Sequence, residues 1–194
     1  MGANLDCGGG NIGIWSDVDL KSKKSYILHP QTKRKIYFFA DAPHVLKLTR
    51  NWLIDTGFVL SDGTIIKHDP LWNLVAKESV EISDTFFLKE QYLTCQRNQR
   101  QIVPWAAKVY SRKCAVALQR RVGTFEAKRL ADFILIVNSW WDVMNSRCPK
   151  ESQVLKRPYG MCRREQDDAL DQIVELMETT LPTNKSYMQV LFGI

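Results

Sequence analysis

The sequence predicts an α+β fold in which a strand-rich opening gives way to helices, and three observations carry that prediction. A run of β-branched and aromatic residues, Ile36, Tyr37, Phe38 and Phe39, leads straight into a capped helix. Asp62-Gly63 sits between two β-prone runs within Phe58 to Lys67, the pattern of a tight hairpin. From about Asp69 onward strand signals fade and helical patterns dominate, over roughly 70–78, 84–92, 104–121, 125–145 and 165–180. That change places a domain boundary between residues 68 and 69.

The chain opens with Asp6 two residues before three consecutive glycines, a backbone free to turn tightly and to approach a ligand closely. No Gly-Lys-Ser/Thr follows, so this is not a phosphate-binding P-loop, and a flexible turn accounts for the pattern equally well. Residues 16–34 are polar and basic, with one short strand over Tyr26 to Leu28, and read as a link back into the sheet. The run Ile36 to Phe39 is too apolar for an edge and is expected to form a buried strand. Asp41 then offers an N-cap oxygen, Pro43 suits the first helical turn, and Gly57 can close the helix in the left-handed region. Along this helix Val45, Leu46, Leu48, Trp52 and Leu53 form the core side, while His44, Lys47, Arg50 and Asn51 form a basic side. His44 either caps or packs.

In the helical part, Val103, Ala106, Ala107, Tyr110, Cys114, Ala117 and Leu118 make an apolar stripe along a single helix over 104–121. The next helix carries a broader stripe of Leu130, Phe133, Ile134, Val137, Trp140, Trp141 and Met144, which makes it central. Its Trp-Trp pair reads as core or as a base-stacking platform. Two prolines and a glycine within 146–164 mark a loop, and Glu165, Asp167 and Asp168 suit the positive end of the last helix.

Composition narrows the function classes. The chain has 194 residues, 45% of them hydrophobic, and a net charge of +6, which suits one sizeable domain and favours polyanionic partners. The charge gathers in clusters such as Arg97 to Arg100, Arg112-Lys113, Arg120-Arg121 and Arg163-Arg164, a pattern that ordinary solvated surface also produces. Five cysteines without a C-x-x-C pair, and three histidines with no ligand spacing, argue against a disulfide framework and a structural zinc site. With no apolar leader and no run of about 18 apolar residues, an intracellular, soluble protein is expected, without a membrane partner.

Five segments, in fixed order, resemble P-element-type transposases and their THAP-domain relatives. They are DCGGGNIGIW (Asp6 to Trp15), DAPHVLKLTRN (Asp41 to Asn51), AAKVYSRKCAVALQR (Ala106 to Arg120), LADFILIVNSWWDVMNSR (Leu130 to Arg147) and RPYG (Arg157 to Gly160). The resemblance implies a partial RNase H-like domain over 1–68 and a helical GTP-binding insertion domain over 69–194. It also implies that Asp6 is the second of three carboxylates that hold paired Mg²⁺ ions for DNA strand cleavage and transfer. The first Asp of that trio lies upstream in the family and the final Glu downstream, so this chain alone is expected to be catalytically inactive.

The same resemblance implies nucleotide contacts. Trp141-Asp142 matches an aromatic-Asp pair on guanine, whose N1–H and amine suit two carboxylate oxygens. Ser111 and Val103 match contacting positions, and Lys89 matches a family lysine, whereas Ile102 stands where the family has another contacting lysine. GTP, Mg²⁺ in an intact relative, transposon-end DNA, a homo-oligomer and a nuclear location follow as expectations. The alternative is a non-catalytic nuclear module that binds nucleotide or DNA. An independent GTPase is disfavoured because the P-loop Lys, its Mg²⁺-binding Ser/Thr and switch motifs are missing from this sequence.

Overall fold

A computed structural model describes residues 2–5, 25–78 and 88–182. Among them, the strands are β1 (Gly2–Leu5), β2 (Tyr26–Leu28), β3 (Lys35–Ala40), β4 (Phe58–Val59), β5 (Ile65–Ile66) and β6 (Leu181–Pro182). The helices are α1 (Ala42–Asp55), α2 (Asp69–Glu78), α3 (Val103–Val109), α4 (Arg112–Ala117), α5 (Phe125–Met144) and α6 (Arg163–Thr179). Two small sheets with a helical body make the fold α+β.

The first sheet has the order β1-β3-β2, with β1 parallel and β2 antiparallel to β3. The β2–β3 turn is closed by the His29 ring, whose Nδ1 accepts from the amides of Gln31 (3.3 Å) and Thr32 (3.2 Å). By its hydrogen bonds β3 is the central strand, as its composition predicts. The expectation of a buried strand fails: Tyr37 is 39% and Phe39 54% exposed on one face, and Ile36 and Phe38 on the other are only half-buried. Tyr37 and Phe39 share a face with Leu28, also exposed, because strand residues two apart point the same way and Leu28 pairs with Lys35.

Asp41 caps α1 as expected, its Oδ2 accepting from the His44 amide at 3.0 Å. Gly57 ends the helix with φ +79°, donating to the Trp52 carbonyl oxygen at 2.8 Å. The hairpin follows: Phe58 pairs with Ile66, and Asp62 Oδ1 accepts from the Thr64 amide. β6 returns to the other side of β4 in antiparallel register, a strand with no signal in the sequence. An Asp62–Arg129 ion pair ties the hairpin to α5.

One buried cluster takes in Leu46, Leu53, Phe58 and Ile66 together with Leu71, Leu74, Leu118, Leu130 and Ile134. Packing thus runs unbroken across residues 68 and 69. The α5 helix supplies the centre, with Leu130 and Ile134 fully buried and Trp140 and Trp141 packed against the cluster, whereas Met144 at its end is 43% exposed. Among the described residues no helix is long and apolar enough to cross a membrane.

Three helical expectations are corrected. The basic side of α1 is only partly solvated, since Arg50 is 0% and Asn51 9% exposed. The reason is the segment that covers it, which presents bare carbonyl oxygens at Tyr92 and Arg100 for the guanidinium to satisfy. The single helix expected over 104–121 breaks at Tyr110 and Ser111 into α3 and α4, and a π-helical turn, Leu118–Val122, extends the second. Its apolar stripe still reaches the core through both pieces, with Ala106, Tyr110, Cys114 and Leu118 buried. The helix expected over 84–92 lies partly outside the described residues, and Glu90–Tyr92 is a 3-10 turn.

Candidate functional site

Ser111 is the residue at the break, and its side chain explains it. In extended backbone (φ −83°, ψ 148°), its Oγ accepts from the Cys114 amide at 3.2 Å and donates to the Lys108 carbonyl oxygen at 2.8 Å. One hydroxyl therefore ends α3 and starts α4, the competition between side chain and backbone that serine offers at helix ends.

The next residue joins this helix start to α5. The Arg112 amide donates to Asn138 Oδ1 at 3.1 Å, and Asn138 Nδ2 donates to Asp142 Oδ2 at 3.0 Å. Four residues apart on α5, Asn138 and Asp142 lie one turn from each other on the same face. At the far end, the Lys156 ammonium stands 3.7 Å from Asp142 Oδ1. A continuous polar row thus runs from Ser111 through Arg112, Asn138 and Asp142 to Lys156.

Asp142 is the chemical centre of the row. Its side chain is 15% exposed, against 41% for Lys156. Burial raises its pKa above the ordinary value, while Lys156 and the Asn138 amide act in the opposite direction. A carboxylate carries about four acceptor positions on two oxygens. Asn138 uses one of them, which leaves room for paired N–H donors such as a guanine edge offers. Trp141, half-buried beside Asp142, leans against Trp140 with ring centroids 6.4 Å apart and packs on the core.

Two of the expected nucleotide residues, Ser111 and Asp142, are brought into one bonded row, with Trp141 adjacent. Val103 is half-buried at the first turn of α3, and Lys89 is exposed just before the Glu90–Tyr92 turn. No hydrogen bond or ion pair among the described residues joins either to the row. Ile102, where the family has a lysine, is half-buried and caps α3 through its backbone alone. Asn138 and Lys156 are absent from the sequence-based set. The signal for Asn138 was its i, i+4 spacing from Asp142; Lys156 has none, since it arrives on a loop.

Asp6 lies outside the described residues. What is described is the strand before it: Leu5 pairs with Ala40, so the strand preceding Asp6 lies beside the strand preceding Asp41. Among the described residues no group of three or more His, Cys, Asp or Glu gathers at metal-binding distance.

A family model described as "TNP-like, GTP-binding insertion domain" matches residues 43–158. The curated protein Transposable element P transposase of Drosophila melanogaster is 27% identical over 180 residues, covering 90% of this chain and 24% of that protein. A solved structure, the Drosophila P element transposase strand transfer complex, superposes with a TM-score of 0.87 at 23% identity, over 100% of this chain and 46% of the matched one. That likeness shows a shared fold. The chain spans about a quarter of the length of the curated relative, which is covered to 24%.

Proposed function

The chain belongs to the P-element-type transposase family, within its GTP-binding insertion domain, and from that premise we propose that it binds guanine nucleotide through the row built on Asp142. In this reading Asp142 accepts from the base edge, Trp141 gives the base an apolar wall, and Ser111 fixes the helix start against which the row is tied. Val103 and Lys89 enter the same reading as further nucleotide contacts on the family resemblance alone. The observation that carries the reading is the half-buried carboxylate of Asp142, oriented by Asn138 and bonded into the start of α4.

The wider role rests on the same premise. In an intact relative the strand-rich part (1–68) contributes Asp6 to an RNase H-like, Mg²⁺-dependent centre acting on transposon-end DNA. The helical part (69–194) binds GTP and supports assembly on that DNA, with α1 and the hairpin packed as the floor of its core. A nuclear location and self-association belong to the same proposal. The second reading is a non-catalytic nuclear module that keeps nucleotide or DNA binding; the family model that matches, over residues 43–158, is that of the insertion domain.

Isothermal calorimetry of the purified chain with GTP, and with ATP as control, tests the proposal. Selective GTP binding is expected. A cooperatively folded protein that binds neither nucleotide, or both equally, contradicts it.

A further inference from the structure

The row itself contains a cation beside the carboxylate that the base is proposed to meet. Lys156 Nζ stands 3.7 Å from Asp142 Oδ1, while Oδ2 is taken by Asn138 at 3.0 Å. A guanine edge presents two parallel N–H donors and needs both oxygens of one carboxylate. The ammonium therefore sits at ion-pair distance, longer than a hydrogen bond, from the oxygen that Asn138 does not contact.

The loop that carries Lys156 is held in place by its own hydrogen bonds. Lys156 closes a 3-10 turn, Val154–Lys156, its amide donating to the Gln153 carbonyl oxygen at 3.0 Å. Arg157 Nε donates to the Glu151 carbonyl oxygen at 2.8 Å. From α6, the fully buried Gln166 staples the RPYG segment: its Nε2 donates to the carbonyl oxygens of Arg157 (2.8 Å) and Pro158 (3.4 Å), and its Oε1 accepts from the Gly160 amide (2.8 Å). The backbone beneath Lys156 is fixed from both sides, which keeps its ammonium within reach of Asp142. The partly exposed four-carbon stem is free to swing toward solvent without moving the loop.

We propose that Lys156 is a built-in competitor of the nucleotide base, pairing with Asp142 and giving way when guanine docks. The inference rests on the guanine reading of Asp142. It gives the half-buried carboxylate a counter-charge beside the Asn138 donor, and it makes selectivity depend on donors able to replace an ammonium. Guanine offers two such donors in one plane. Adenine's corresponding edge presents an acceptor at N1, which a carboxylate repels, so adenine leaves Lys156 in place.

The test reads Lys156 directly in the full chain. Amine acetylation is followed by mass spectrometry with and without saturating GTP, the exposed Lys150 on the same loop serving as internal reference. Release from the ion pair predicts about two- to five-fold faster acetylation of Lys156 with GTP, the range set by a partly exposed pair, with no change at Lys150 and none with ATP. Unchanged or slower acetylation overturns the proposal, since the ammonium then stays on Asp142 or moves onto the nucleotide.

A second variant separates competition from long-range attraction to the triphosphate. Lys156→Met is expected to bind the uncharged nucleoside guanosine about two- to five-fold more tightly than the unaltered chain, with both proteins followed over the same pH series. Equal or weaker guanosine binding overturns the proposal. If calorimetry shows that neither protein binds GTP, the guanine reading itself fails and the competitor role fails with it. If GTP binds and Lys156 does not respond, only the competitor role fails.

Discussion

The Arg50 guanidinium, 0% exposed, donates through Nη2 to the carbonyl oxygen of Arg100 at 2.8 Å. Its Nε donates to Asn51 Oδ1 at 2.9 Å, and Nη1 reaches the Tyr92 carbonyl oxygen at 3.5 Å. Two further links join the same pieces, an Asp55–Arg100 ion pair and a Lys47–Gln101 hydrogen bond. The helix behind the strand-rich opening is thereby strapped to the segment that runs from Lys89 into α3. Burial lowers the pKa of Arg50, with Cys95 and Tyr110 acting in the opposite direction.

Arg50→Met is expected to destabilise the fold by about 3 kcal/mol, because two buried carbonyl oxygens lose charged donors. The urea midpoint measures this. Arg50→Lys should recover less than half, since an ammonium cannot reproduce a planar fork that reaches three oxygens. Full recovery by lysine would show that charge, and not geometry, matters here.

Asp142 links stability to pH in a defined direction. Its folded-state pKa lies above the ordinary value because burial disfavours the charged form. The folded state therefore holds the proton more tightly than the unfolded chain, and stability falls as pH rises from the unfolded pKa through the folded one. Asp142→Asn removes that slope. Thermal melts should show the variant more stable at neutral pH and the two proteins converging in acid. A variant less stable at neutral pH would mean that the Lys156 pair outweighs desolvation.

Asn138→Ala cuts the row at its middle. Losing the bonds to the Arg112 amide and to Asp142 should cost about 1 kcal/mol and weaken GTP binding, with the loss concentrated in preference over ATP. Equal weakening for both nucleotides would indicate a general disturbance of α4.

Two glycines make a contrast in backbone strain. Gly57 and Gly63 have φ of +79° and +81°, yet a Cβ on Gly57 would meet the Ile66 carbonyl oxygen at 2.3 Å, while one on Gly63 would meet nothing within 4 Å. Gly63→Ala should cost about 1 kcal/mol from its dihedral angle alone. Gly57→Ala adds a backbone clash and should cost about 3 kcal/mol or more. Denaturant midpoints for the pair decide it.

Local chemistry was legible wherever one residue type sets the backbone. Asp41, Gly57 and the Asp62-Gly63 pair act as their positions predict, and the α5 stripe marks the centre of the core. Periodicity misled where a polar side chain is buried by a distant segment: nothing on α1 announces that carbonyl oxygens from Tyr92 and Arg100 will meet Arg50. In the same way, continuous helical spacing over 104–121 hid a break that Ser111 makes with its own hydroxyl. At the site, resemblance indicated Ser111, Trp141 and Asp142, and the fold supplied what joins them. Asn138 was within reach of helix spacing, but Lys156 comes from a loop whose position depends on Gln166, a tertiary contact that sequence spacing does not encode.

The central claim is that Asp142 reads the guanine edge, and the most direct measurement is calorimetry of Asp142→Asn with GTP and with xanthosine triphosphate. Xanthine carries a carbonyl oxygen where guanine carries an amine, so a carboxamide can donate to it while still accepting from N1–H. The account predicts that the unaltered chain prefers GTP and that Asp142→Asn shifts the preference toward xanthosine triphosphate. An unchanged preference for GTP in the folded variant would contradict it and remove Asp142 from base recognition.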